Sequence, residues 1–194
     1  MEENRDIFES VGAILEGHFQ LTSGRHSNTY IQCARVLENP VVTEKLVSKW
    51  VKKLNQSEKL SCDVVVGPAV GGIILSYELG KQLKKRAIFA EREAGKLALR
   101  RLFTIEPGDR VIVVEDVVTT GGSVLETMDL VKSKGGEIVA VCSLVDRGSN
   151  FNPGVLYLPL LKIEVASFQK EECPLCQKGI AIEMPGSRRL KEQP

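Results

Sequence analysis

The feature that most constrains the fold is a set of short, unbroken apolar runs separated by segments of helical length. Asp63-Val64-Val65-Val66, Ala87-Ile88-Phe89-Ala90, Val111 to Val114 and Ile138 to Val145 all lack the polar alternation of a strand with one wet face. A strand that is apolar on both sides must be covered on both sides. Helical stretches lie between the runs, from about Gly72 to Lys84 and around Val124, Leu125, Met128 and Val131. This order predicts an α/β fold, with an open, mostly parallel sheet and helices on both faces. At least one more strand is expected within residues 155–166.

The flanking segments are less regular. Ile7, Val11, Ile14 and Leu15 recur at helical spacing, which predicts an amphipathic helix over about 5–16, ended by Gly17. Residues 19–37 read as a strand-and-turn region around Ser23-Gly24-Arg25. Asn39-Pro40 marks a helix start, followed by an apolar face of Leu46, Val47, Trp50, Val51 and Leu54. With no internal repeat or low-complexity linker, residues 1–194 are expected to form a single domain, the tail from about 171 being an appendage.

Composition excludes several classes. Of the 194 residues 43% are hydrophobic and 26% charged, an ordinary globular balance. The net charge of +1 lacks the basic excess of a nucleic-acid binder, so no such partner is expected. The longest uncharged apolar stretch, Val64 to Leu75, is broken by Gly67, Pro68, Gly71 and Gly72, and falls short of the ~18 residues of a membrane span. The N-terminus opens on charged residues with no apolar signal core. Five scattered cysteines do not form a secreted disulfide framework, and a reduced, cytoplasmic protein is expected.

The chemistry concentrates in Val111 to Ser123. A buried strand ends on two acids, Glu115 and Asp116, and runs through Val117-Val118 into Thr119-Thr120-Gly121-Gly122-Ser123 and a helix. In open parallel sheets ligands bind at this edge. The glycines let backbone N–H groups approach an oxyanion, the helix N-terminus adds positive partial charge, and the hydroxyls add donors, so the loop suits a monophosphate. The acids would repel a phosphate and suit a diol instead. A phosphorylated ribose offers both. The plainer alternative is a pair of solvated acids before an ordinary helix cap.

This segment resembles the phosphoribosyl diphosphate (PRPP) signature of the type I phosphoribosyltransferases. Leu21-Thr22-Ser23-Gly24-Arg25-His26-Ser27, Gly67-Pro68-Ala69-Val70-Gly71-Gly72 and Asp146-Arg147-Gly148 extend the resemblance to the members that act on orotate. The resemblance implies a small N-terminal hood and a short C-terminal extension around the sheet. It implies that Glu115 and Asp116 hold the ribose hydroxyls and the loop Thr119 to Ser123 the 5′-phosphate, with Val117 and Val118 among the PRPP-binding residues. It also implies transfer of ribose 5-phosphate from PRPP to orotate with Mg²⁺, and a homodimer with shared sites. Three family cations differ here: Thr22 stands where many members have Lys, Val70-Gly71 where they have Tyr-Lys, and the mobile loop reads Glu91-Arg92-Glu93-Ala94-Gly95-Lys96-Leu97-Ala98-Leu99-Arg100-Arg101. With Cys173-Pro174-Leu175-Cys176, this resembles a divergent subgroup.

Departure of diphosphate builds negative charge. Arg92, Lys96, Arg100 and Arg101 are expected on a flexible segment that closes over it, with Arg92 and Lys96 as the catalytic and PRPP-binding cations; a solvated basic hairpin is the plainer alternative. Gly71 joins the PRPP contacts through the backbone. Arg147, Thr119 and the Ser23-Gly24-Arg25 turn are assigned to orotate. No protein side chain is expected to ligate Mg²⁺. Cys173 and Cys176 have zinc-ligand spacing, and two copies across a dimer would make a four-cysteine site; a metal-free pair is the alternative. His18 and His26 read as ordinary loop or cap histidines, and Cys33, Cys62 and Cys142 as small core residues. Two other functions compete: a phosphoribosyltransferase for a purine or another base, and a PRPP-sensing regulator that binds nucleic acid.

Overall fold

The computed structural model describes residues 2–21, 23–56, 61–148 and 150–185. In chain order, α1 (Glu2–Ser10) leads into the antiparallel pair β1 (Ile14–Gln20) and β2 (His26–Ile31), then α2 (Ala34–Leu37) and α3 (Pro40–Asn55). The central part alternates β3 (Val64–Pro68), α4 (Gly71–Leu83), β4 (Arg86–Glu93), β5 (Lys96–Leu99), β6 (Arg110–Val118), α5 (Gly122–Ser133), β7 (Glu137–Asp146) and β8 (Leu156–Lys162). A short strand β9 (Ser167–Phe168), a 3₁₀ turn at Lys170–Glu172 and α6 (Pro174–Gln177) follow.

The main sheet has the order β5-β4-β3-β6-β7-β8, parallel except for the β4–β5 hairpin. Strand alternation explains why the apolar runs are continuous. Val65, Ile112 and Val114 point to one face, where they meet Trp50 and Leu46 of α3 and Leu75 and Leu79 of α4. Val64, Val66, Val111 and Val113 point to the other, against Val124, Met128 and Val131 of α5. Both faces are dry, as the runs predict. The Asn39 side chain accepts from Val42 N at 3.2 Å with Pro40 in the first turn, the expected start of α3. The fully buried Trp50 donates Nε1–H to the Leu158 carbonyl at 2.9 Å, tying α3 to β8.

The first helix is shorter than its periodicity suggests. It stops at Ser10, because Gly12 takes a left-handed φ of 64° while its N–H reaches Glu9 O and the Ala13 N–H reaches Phe8 O. Ile14 and Leu15 therefore belong to β1, and Gly17 lies inside that strand rather than closing a helix. The hood is built from both ends of the chain, with order β1-β2-β9. Beyond β9, Glu183 bridges back to β1, its N–H bonding His18 O at 2.7 Å and its carbonyl accepting from Gln20 N at 2.9 Å. The tail from 171 to 185 thus packs on the hood. Among the described residues no helix is long and apolar enough to cross a membrane.

Candidate active site

The sheet brings the expected phosphate loop to the C-terminal edge of β6. Gly121 adopts φ 82° and turns the chain into α5, and a Cβ there would overlap the Phe151 ring. Thr119, Thr120, Gly122 and Ser123 are exposed, whereas Val118 is buried and only lines the loop. These residues with Arg92, Glu115, Val117, Val124 and Glu126 bound a cavity of about 380 Å³ at the α5 N-terminus. A second cavity of about 780 Å³ shares Arg92, Glu115, Val117 and Ser123 with it and continues past Asp116 to Pro68, Ala69, Val70 and Gly71. The two together form a trough running from helix N-terminus to acid pair to the β3–α4 turn.

The two acids are not equivalent. Glu115 is buried, and desolvation together with the neighbouring Asp116 charge pushes its carboxyl well above the usual range. Asp116 is half-buried, and its Oδ1 accepts from Val117 N at 2.7 Å. Gly71 sits hard against it, since a Cβ at this position would overlap the Asp116 carboxylate. The role of Gly71 is therefore to leave room for an acid as well as to present its backbone.

The basic segment 91–101 is not an irregular loop. It forms the β4–β5 hairpin, turned at Ala94-Gly95 where both residues have positive φ. Arg92 makes a two-pronged pair with Glu126 of α5, Nη1–Oε1 at 3.0 Å and Nη2–Oε2 at 2.7 Å, and also donates to Gly95 O at 2.7 Å. The Leu97 N–H donates to the same Glu126 at 2.9 Å. Arg92 is thereby held over its own chain's Thr119-to-Ser123 loop. Arg101 pairs with Glu91 and Arg100 with Glu93, so both are partly neutralised. Lys96 is exposed and makes no ion pair with the described residues. Glu126 was absent from the sequence reading, because nothing in a 34-residue separation marks it as the partner of Arg92.

Arg147 follows β7, which pairs with β6 through Val118 and Asp146, and its N–H donates to Val118 O at 2.9 Å, next to Thr119. Its guanidinium is half-buried, burial lowers its pKa, and its Nε has no hydrogen-bond partner. Tyr30 of β2, which no sequence pattern singles out, is close enough to Arg147 and Asp116 for both charges to act on its hydroxyl. The Ser23-Gly24-Arg25 turn is closed by Gly24 N to Leu21 O and Leu21 N to Arg25 O, both 2.8 Å. The Arg25 guanidinium is engaged by Ser167, at 2.9 Å to Oγ and 2.6 Å to the carbonyl, so it braces β9. Thr22 lies outside the described residues.

The two histidines are not isolated residues. His18 on β1 and His26 on β2 meet Cys173 and Cys176 within the same chain, so the cysteine pair does not depend on a second copy for neighbours.

A doubly covered parallel sheet with an acid pair and a hydroxyl-lined helix N-terminus at one strand end defines a site for a phosphorylated sugar. The phosphoribosyl transferase domain family matches residues 35–153, which carry most of the trough's lining, and the chain belongs to that family. Within it, the chain is 53% identical over 184 residues to an orotate phosphoribosyltransferase of Carboxydothermus hydrogenoformans, covering 94% of this chain and 96% of that one. It is 50% identical over 190 residues to the orotate phosphoribosyltransferase of Desulforamulus reducens, covering 97% and 98%. The crystal structure of orotate phosphoribosyltransferase from Aeropyrum pernix superposes with a TM-score of 0.70 at 26% identity, covering 82% of this chain and 93% of that one. The chain is thus a member of the orotate phosphoribosyltransferase branch.

Proposed function

We propose that the chain transfers the 5-phosphoribosyl group of PRPP to orotate, giving orotidine 5′-monophosphate and diphosphate for pyrimidine nucleotide synthesis. The observation that carries this reading is the continuous trough from the α5 N-terminus through Glu115 and Asp116 to Gly71. Thr119 to Ser123 hold the 5′-phosphate on backbone N–H groups and hydroxyls. Asp116, and Glu115 behind it, accept from the ribose hydroxyls. The β3–α4 turn receives the diphosphate. Arg147, with an unpaired Nε beside Thr119, takes the orotate carboxylate.

Bond breaking at C1′ develops cationic character on the sugar and negative charge on the departing diphosphate. Orotate N1 attacks as diphosphate leaves, and no covalent nucleophile on the protein is required. The chain's part is to position both partners, with Arg92 and Lys96 serving the leaving group. Mg²⁺ suits this trough as an ion carried by the substrate. Glu126 is taken by Arg92 and Glu115 is buried with a raised pKa, so the side chains do not build an octahedral cage. When bound, Mg²⁺ neutralises part of the diphosphate charge.

A homodimer with Lys96 reaching the neighbouring site belongs to this proposal. Val70, Ile74 and Tyr77 support it: from the N-cap of α4 into the helix they stand at i, i+4 and i+7, 79%, 42% and 68% exposed. The deciding assay measures diphosphate release from PRPP and Mg²⁺ with a panel of bases. Release that depends on orotate is expected; release driven by a purine instead would overturn the base assignment.

A further inference from the structure

We propose that His18, His26, Cys173 and Cys176 form a closed structural zinc site that fastens the C-terminal segment to the hood. The ligand atoms of the four residues all lie within 4.8 Å of one another. His18 Nε2 is 3.0 Å from His26 Nδ1, 3.5 Å from Cys173 Sγ and 3.7 Å from Cys176 Sγ, and Cys176 Sγ is 3.2 Å from His26 Nδ1. A tetrahedral ion with Zn–N of about 2.0–2.1 Å and Zn–S of about 2.3 Å sets its ligands about 3.4–3.8 Å apart. The four spacings given need shifts of only a few tenths of an ångström to enclose one, and the remaining pairs, within 4.8 Å, need about 1 Å at most.

Three further observations point the same way. First, the donor set of two thiols and two imidazoles matches a borderline-soft ion and supplies four ligands, which leaves no open position for catalysis. Second, His18 Nδ1 lies 2.8 Å from the Ile180 carbonyl. That acceptor keeps the proton on Nδ1 and turns the Nε2 lone pair toward the cluster, the outer-shell arrangement of a metal-bound histidine. Third, hydrogen bonding alone satisfies the cluster poorly. The single Nε2 lone pair faces His26 Nδ1 and both sulfurs, in a place where His18, His26 and Cys173 are 2%, 3% and 0% exposed.

The ligands come from β1 and β2, which already pair with each other, and from the segment around α6, which reaches β1 through Ile180 and Glu183. An ion here would order the tail, including Ile180 and the Glu183 bridge to β1. It would also fix the strand that begins at His26, directly after the Ser23-Gly24-Arg25 turn. The site would be structural, and independent of which base the enzyme accepts.

The test uses the full chain produced in zinc-supplemented medium. Bound metal is counted by plasma mass spectrometry, and chelated protein is then titrated with Co²⁺ and followed by absorption. One zinc per chain is expected, with thiolate-to-cobalt charge transfer and the intense d–d bands of a tetrahedral site. Chelation should lower the thermal midpoint and zinc restore it. Cys173→Ser/Cys176→Ser should bind neither metal; if that variant is insoluble, the wild-type count and cobalt spectrum decide alone. Half an ion per chain would place the metal between two copies and overturn the proposal. So would a wild-type chain that holds no zinc and gives no tetrahedral cobalt spectrum, whether its thiols are free or joined as a disulfide.

Discussion

At the scale of single residues the acid pair gives the sharpest expectations. Asp116→Asn keeps the shape and replaces an ionised acceptor with a neutral amide. Hydrogen bonds to charged groups are worth about 1.5–3 kcal/mol, so PRPP should bind roughly ten- to a hundredfold more weakly while the fold is retained. Gly71→Ala should reach a similar result by another route: the new methyl would displace the Asp116 carboxylate. Because Ala is a better helix former than Gly, stability should hold. Isothermal titration with PRPP checks both, and full affinity in Gly71→Ala would mean that Asp116 does not need its present position. Glu115 supplies a pH test. Its pKa is raised in the folded chain by burial first and Asp116 second. The proton it retains stabilises the fold fully below the ordinary carboxylate range, and that contribution is lost as pH rises through the raised value. The wild-type thermal midpoint should therefore fall across that window, and Glu115→Gln should flatten the fall and be the more stable protein above it. Parallel curves would remove the buried-acid assignment.

At the scale of elements, the β4–β5 hairpin divides the work of its cations. Arg92 is anchored to α5 of its own chain through Glu126, so it is expected to act in its own site. Lys96, unpaired among the described residues, is the cation left to reach another site. Lys96→Ala and Arg92→Ala should each lower turnover more than orotate affinity, since leaving-group charge is largest in the transition state. Hybrid dimers separate the two. Mixing Lys96→Ala with Asp116→Asn chains should restore some activity, because one site then receives both groups. Mixing Arg92→Ala with Asp116→Asn should restore none. Recovery in the Arg92 mixture, with subunit exchange verified, would show that the Glu126 pairing gives way during the reaction. The hairpin also marks where sequence reading runs out. The strands of the main sheet were legible because burial on both faces leaves an unbroken apolar run. In Glu91 to Leu99 the alternation is diluted by charges that pair across the strands and with α5, so the segment reads as a mobile loop, with a basic hairpin only as the alternative. The first helix failed for the opposite reason. Its apolar spacing continued past Gly12, and only a left-handed backbone angle ends it.

At the scale of the whole molecule, the site lies where the sheet edge meets a hood made from both chain ends. The strand-to-helix loop proposed to hold phosphate was legible as a turn because one contiguous stretch carries it. The proposed base side was only partly legible, because its candidate residues lie far apart in the chain: Tyr30 from the hood, Arg147 after β7, and Ser167, which holds the guanidinium of Arg25. The histidine–cysteine cluster was missed for the same reason, its two halves lying 155 residues apart. This arrangement makes orotate and PRPP recognition separable. Arg147→Ala removes the half-buried guanidinium beside Thr119 and leaves the loop from Glu115 to Ser123 intact. Orotate affinity should drop while PRPP affinity stays within about twofold. On the proposed assignment the same guanidinium would set selectivity: facing uracil it would stay unpaired, and leaving a desolvated charged donor unsatisfied costs about 1–3 kcal/mol or more. Wild type should therefore prefer orotate to uracil by well over tenfold, and Arg147→Ala should lose most of that preference. Separate titrations of orotate, uracil and PRPP against both proteins test this. Equal orotate affinity in the two would move the carboxylate away from Arg147, and the braced Arg25 turn would then be the place to look for it.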